Sequence, residues 1–178
     1  MLMITKHVLV ALVLVAGTVA ALPQAHSNPK GKTVLVHVVS NIKKEDGPPC
    51  VAFDVSYANL MAGNRVEMFF DAAAAWNLKQ AETDGKNDFD RYDVPADLKQ
   101  LLFSEFKSDE IQKLKNFGEF LGLLSSKGAV ISVNGTWNVL TSVEKEIKGK
   151  STMPSFVEPL TLREMVAHMN AAERYYRY

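Results

Sequence analysis

The sequence predicts an α/β fold: a three-layer sandwich with a mostly parallel sheet of about five strands and helices on both faces. Two observations carry this. The run Thr33-Val34-Leu35-Val36-His37-Val38-Val39-Ser40 is almost unbroken and β-branched, with no polar alternation. Such a run suits a strand covered on both faces, as in a parallel sheet. A helical segment and a second β-rich run then complete a strand–helix–strand unit, whose strands are expected to be parallel.

The elements follow in order. A charged, proline-containing loop from Asn41 to Pro49 leads to Pro48-Pro49, placed where a helix starts and a missing N–H costs nothing. Phe53, Tyr57, Leu60 and Met61 then share one helical face, and Gly63 ends the helix. Arg65 to Phe70 reads as the second strand, Ala72 to Leu78 as a short helix, and Gln80 to Asp97 as a polar surface loop. Ser108, with Asp109 and Glu110 behind it, is expected to cap one long helix. Its buried face would be Ile111, Leu114, Phe117, Leu121 and Leu124. Ala129 to Val133 is the third strand.

Asn134-Gly135 is a strong hairpin signal, yet Thr141 with Glu144 forms a capping box before VEKEIK. The preceding β–α alternation favours strand, turn and a helix running to Gly149. Phe156 to Leu160 is a fourth strand, and Thr161 with Glu164 caps a last helix lined by Leu162, Met165, Val166, Met169 and Ala172. Tyr175 to Tyr178 closes the sheet as an edge strand.

Residues 1–27 read as a signal peptide. Lys6-His7 precedes an apolar run from Val8 to Leu22, Pro23 stops it, and Ala25-His26-Ser27 offers small residues for cleavage. Val19-Ala20-Ala21 is a second possible cleavage point. The run is shorter than the roughly 18–20 residues that span a bilayer. The expected product is one domain, residues 28–178, periplasmic or secreted, with no membrane attachment after cleavage. Twenty Lys+Arg against twenty Asp+Glu argue against a nucleic-acid surface. Cys50 is the only cysteine, so no intramolecular disulfide staples the chain.

The passage from Ala58 to Asp71, which runs helix, glycine, strand, and the strand Gly128-Ala129-Val130-Ile131-Ser132-Val133 carry a resemblance. With KTVLVHVVS before them and SFVEPLTLREMVAHM after them, the chain resembles the DsrE/DsrF-like family across nearly its whole length after residue 27. The resemblance implies the three-layer sandwich, a homo-oligomer, and a link to sulfur transfer through a cysteine persulfide. In sulfur-relaying members that cysteine ends the third strand. Here the position falls at or next to Asn134, and an amide cannot replace a thiolate.

In parallel α/β sheets, ligands bind at the carboxyl ends of the strands. That rule selects Ser40, Asn41, Asp71, Trp76, Asn134, Thr136 and Trp137 as ligand-binding candidates, with the two indoles walling a crevice. Cys50, at a helix start where the dipole lowers a thiol pKa, is the catalytic candidate. His37 reads as a core histidine and His168 as a solvated one. No metal-ligand spacing and no cofactor motif occurs. The sequence reading is therefore an exported, non-catalytic module that binds a small sulfur-containing ligand or a protein partner. The alternative is a sulfur carrier or thiol-redox protein acting through Cys50.

Overall fold

The computed structural model describes residues 31–178; the expected signal peptide lies outside them. Among the described residues, five strands form one sheet: β1 Thr33–Val38, β2 Arg65–Phe70, β3 Val130–Asn134, β4 Val157–Leu160 and β5 Arg174–Arg177. Their order is β4-β3-β2-β1-β5, and every pairing is parallel. The fold is the expected α/β sandwich.

Alternation along each strand separates two faces. Val34, Val36, Val38, Met68, Phe70, Ile131, Val133 and Val157 enter the main core. Helix α1, Gly47–Met61, covers that face and inserts Phe53 and Tyr57, both fully buried. Phe53 meets the rings of Phe89, Phe117 and Phe120 at centroid distances of 5.2–5.5 Å. Met61 stays outside this packing, 45% exposed. Leu35, Phe69, Leu160 and Met165 form a smaller cluster on the opposite face. Among the described residues, helix α7, Leu162–Ala171, is the one helix that contributes to it, and its Leu162 and Val166 remain exposed. Thr161 and Glu164 form the expected capping box at its start.

Three expectations are corrected. The long helix starting at Ser108 is two helices, α4 Asp109–Lys113 and α5 Phe117–Ser126, numbered after α2 Ala72–Ala75 and α3 Ala96–Phe106. Between them the backbone bonds sideways: Val94 N–H donates to Lys115 O and Phe117 N–H to Tyr92 O. Asn116, not Ser108, caps with its side chain, accepting from Glu119 N–H. The apolar positions were nevertheless the right ones, since Ile111, Leu114, Phe117, Leu121 and Leu124 are all buried. Helix α3 has little signal in the sequence, because Leu102 is its one buried residue.

The third correction concerns residues 134–149. Asn134-Gly135 is neither a hairpin nor a free turn; helix α6 starts there, Gly135–Leu140, capped by Asn134. A Cβ at position 135 would collide with the Ile147 carbonyl, which accounts for the glycine. Residues 141–149 hold no helix. Glu144 instead turns inward, 7% exposed, accepting bonds from Thr152 N–H, Thr152 Oγ1 and Ser151 Oγ. Three donors satisfy this buried carboxylate where it stands, so it is not free to form a capping box.

Candidate functional site

Three strands deliver polar residues to the carboxyl edge of the sheet. His37 lies near the end of β1, Asp71 directly follows β2, and Asn134 ends β3. All three sit on the sparsely covered face, because each is one step out of phase with a core residue: Val38, Phe70 and Val133. The Asn134 amide donates to Asp71 Oδ1 at 2.8 Å, while its own oxygen accepts from Trp137 N–H at 2.9 Å. Asp71 Oδ1 also accepts from Ala72 N–H at 2.7 Å. Asp71 Oδ2 stands 3.4 Å from His37 Nε2. At that separation Nε2 has no well-aligned hydrogen-bond partner, and the carboxylate is its nearest polar neighbour across the strands. His37 Nδ1 lies 2.6 Å from the Tyr175 hydroxyl, supplied by the edge strand β5.

The network shapes its own charge. The imidazole of His37, then the Asn134 amide and the Ala72 N–H, hold the Asp71 carboxyl below the usual carboxylate range, against the upward push of burial. Ala72 adopts φ 48, a left-handed conformation that costs a non-glycine residue energy, so the turn beside Asp71 is strained. A second histidine–carboxylate pair sits on the same face: His168 Nδ1 is 2.7 Å from Glu67 Oε2, and Ser132 Oγ donates to Glu67 Oε1 at 2.6 Å. His168 is thus paired, not simply solvated.

Beside this network the loops enclose an open cavity of about 720 Å³. Asn41 forms part of its wall and is locked: its Oδ1 accepts from Lys43 N–H and from the buried Asn77 amide, and its Nδ2 donates to Ala73 O. Trp76, 49% exposed, supplies an apolar wall. Lys43, Lys44, Lys79, Lys86 and Arg91 line the cavity against only Glu82 and Asp88. Lys43 approaches Asp88 at 3.5 Å, and Arg91 is held by both oxygens of Asp84.

The sequence candidates therefore divide. Asn41 and Trp76 line the cavity, whereas Asp71 and Asn134 belong to the histidine network. Ser40 follows β1, its N–H reaching Tyr178 O at 3.4 Å, and Thr136 is half-buried in the first turn of α6. Trp137 packs against the main core with its indole N–H buried and unpartnered, so the two indoles do not wall one crevice. Cys50 is half-buried at the start of α1. Burial first, then the nearby carboxylates Asp46 and Asp54, push its thiol up to about 11. These effects outweigh the helix dipole, and the thiol stays protonated at neutral pH. Among the described residues, no group of three or more His, Cys, Asp or Glu is placed to hold a metal ion.

Two features of the site have little local signal in the sequence. Tyr175 reads as part of an edge strand, but nothing local says that this strand pairs with β1 and brings its hydroxyl to His37. The cation-rich wall draws on segments that read as polar loops, and the recurrence of Lys79, Lys86 and Arg91 is its one signal in the sequence.

No family model and no curated protein sequence matches the chain. Among solved structures, the YchN protein of E. coli is similar over 83% of this chain and 99% of that one, with 13% identity and a TM-score of 0.48. The α/β sandwich itself is established by this chain's own parallel sheet and its layers.

Proposed function

We propose that the protein is an exported, non-catalytic binding module that captures a small anion at the carboxyl edge of its sheet. The observation that supports this is the cavity of about 720 Å³, within the size range of small-ligand sites, with five cationic and two acidic side chains around it. Trp76 gives it one apolar wall and Asn41 a fixed polar edge, so a ligand with a compact charge and an apolar or soft body suits it. The resemblance to a sulfur-handling family links the module to sulfur metabolism and makes sulfur oxyanions the first class to try. Cys50 has no part in this reading, because its thiol is held protonated.

Calorimetric titration with thiosulfate, sulfite and sulfate tests the proposal. Saturable binding of at least one is expected, weakening as salt rises, since charges this exposed are screened over roughly 10 Å at 0.1 M. The double substitution Lys79→Ala with Lys86→Ala should abolish it. Absence of binding by all three anions at low salt overturns the proposal.

A further inference from the structure

We propose that the hydroxyl of Tyr175 is an activated nucleophilic oxygen, deprotonated by His37 as it reacts, and that it accepts an electrophilic acyl or sulfonyl group. This is a second site, on the polar face of the sheet, and it does not depend on anion capture in the cavity. Its parts are those of a nucleophile, a base and an orienting carboxylate. The hydroxyl oxygen stands 2.6 Å from His37 Nδ1, the distance of a strong hydrogen bond. His37 is 6% exposed and fixed in place, with the Phe69 ring 5.0 Å away and Asp71 Oδ2 3.4 Å from its other nitrogen. With the Nε2 proton turned towards that carboxylate, Nδ1 carries the lone pair that accepts the phenolic hydrogen. Asp71 in turn is held by Asn134 and by Ala72 N–H, so the orienting group cannot swing away.

Access distinguishes this arrangement from a buried structural network. Tyr175 is 48% exposed, whereas the base behind it is buried. Arg177 lies two residues further along β5 on the same face, in register with His37, and offers a cation for an oxyanion. Tyr176 points to the opposite face, packs against the main core and provides an internal control one residue away.

An arylsulfonyl fluoride is the direct probe. Tyr175 Oη attacks sulfur and an S–O bond forms. The S–F bond breaks, fluoride leaves with the electron pair, and the phenolic proton passes to His37 Nδ1. The product is a sulfonate ester identified by mass after tryptic cleavage at Arg174 and Arg177, with fragmentation assigning Tyr175 or Tyr176. Labelling of Tyr175 is expected to exceed that of Tyr176 and Tyr92 on the order of 100-fold, the lower end of general-base assistance. His37→Phe should erase that preference. Asp71→Asn keeps an oxygen to cap α2 and should lower the Tyr175 rate roughly tenfold by removing the orienting charge. Labelling that follows exposure alone, or a Tyr175 rate unchanged in either variant, overturns the proposal. Should His37→Phe fail to fold, the Asp71→Asn rate decides by itself.

Discussion

The two faces of the sheet are built from the same five strands and differ in what they bury. One presents valines, isoleucine, methionine and phenylalanine to α1 and α5 and closes a large aromatic core. The other mixes Leu35, Phe69 and Leu160 with His37, Glu67, Ser132 and Asn134, and among the described residues α7 is the helix that packs on its apolar part. The first face resembles an organic crystal, in which each side chain is held by contact on all sides. The second is held by directed polar bonds, which need fewer neighbours but tolerate fewer substitutions. Division of labour follows: stability resides on the apolar face, and chemistry has room on the polar one.

The largest expected effect tests the apolar half. Phe53→Ala should lose about 3–5 kcal/mol, because three aromatic neighbours cannot collapse into the space it leaves. Denaturant unfolding measures it, and a loss under about 1 kcal/mol would mean the core is far looser than its burial indicates.

Next comes Cys50, which tests whether chemistry is confined to the polar face. With its thiol pushed up to about 11 from the ordinary value of 9.0, iodoacetamide alkylation at pH 8 should run roughly 100-fold slower than for a free thiol. Its rate should still be climbing at pH 10. Fast modification at pH 7 would place reactivity on the α1 side and break the division.

Asp71→Ala should cost about 1–2 kcal/mol near pH 7, through loss of the cap and of the partners that Asn134 and His37 find in it. The folded carboxyl is held below its ordinary value, so it stabilises above the usual carboxylate range and that contribution is lost as pH falls through the lowered value. The gap between variant and parent should accordingly narrow in acid.

The smallest effect has the opposite sign. Burial raises Asp54 to about 6, which penalises its charged form in the folded state. That penalty is absent below about pH 4, grows between there and pH 6, and is complete above. Asp54→Asn should thus stabilise by about 1 kcal/mol at pH 7.5, after allowing for solvent screening, and change little at pH 3.5. Melting temperatures at the two pH values distinguish this from a simple gain in packing.

Legibility in the sequence followed the range of the forces involved. All five strands were readable, because a β-branched run such as Thr33–Ser40 declares itself within eight residues or so. Thr161 with Glu164 was readable for the same reason, being a bond across one helical turn. Thr141 with Glu144 showed the identical local signal and misled, because Ser151 and Thr152 compete for the Glu144 carboxylate. The split at Leu114–Asn116 likewise depends on bonds to residues 92–94 that no helical periodicity encodes. Of the site, Asp71 and Asn134 followed from the strand-end rule, and the structure joins them directly. The contribution of Tyr175 depended on which strand would neighbour β1, a choice made by the whole sheet.

That choice has a consequence in time. Strand β5 lies beside β1, and Tyr175 meets His37 across 138 positions of chain. Pairings this remote must wait for the intervening loop to close, which makes them slow steps in folding. During synthesis β1 leaves the ribosome long before β5 exists, so its outer edge spends that interval with unpaired backbone groups able to capture another strand. The histidine pair is therefore among the last features of the molecule to assemble, and any nascent intermediate carries the apolar core before it carries the chemistry.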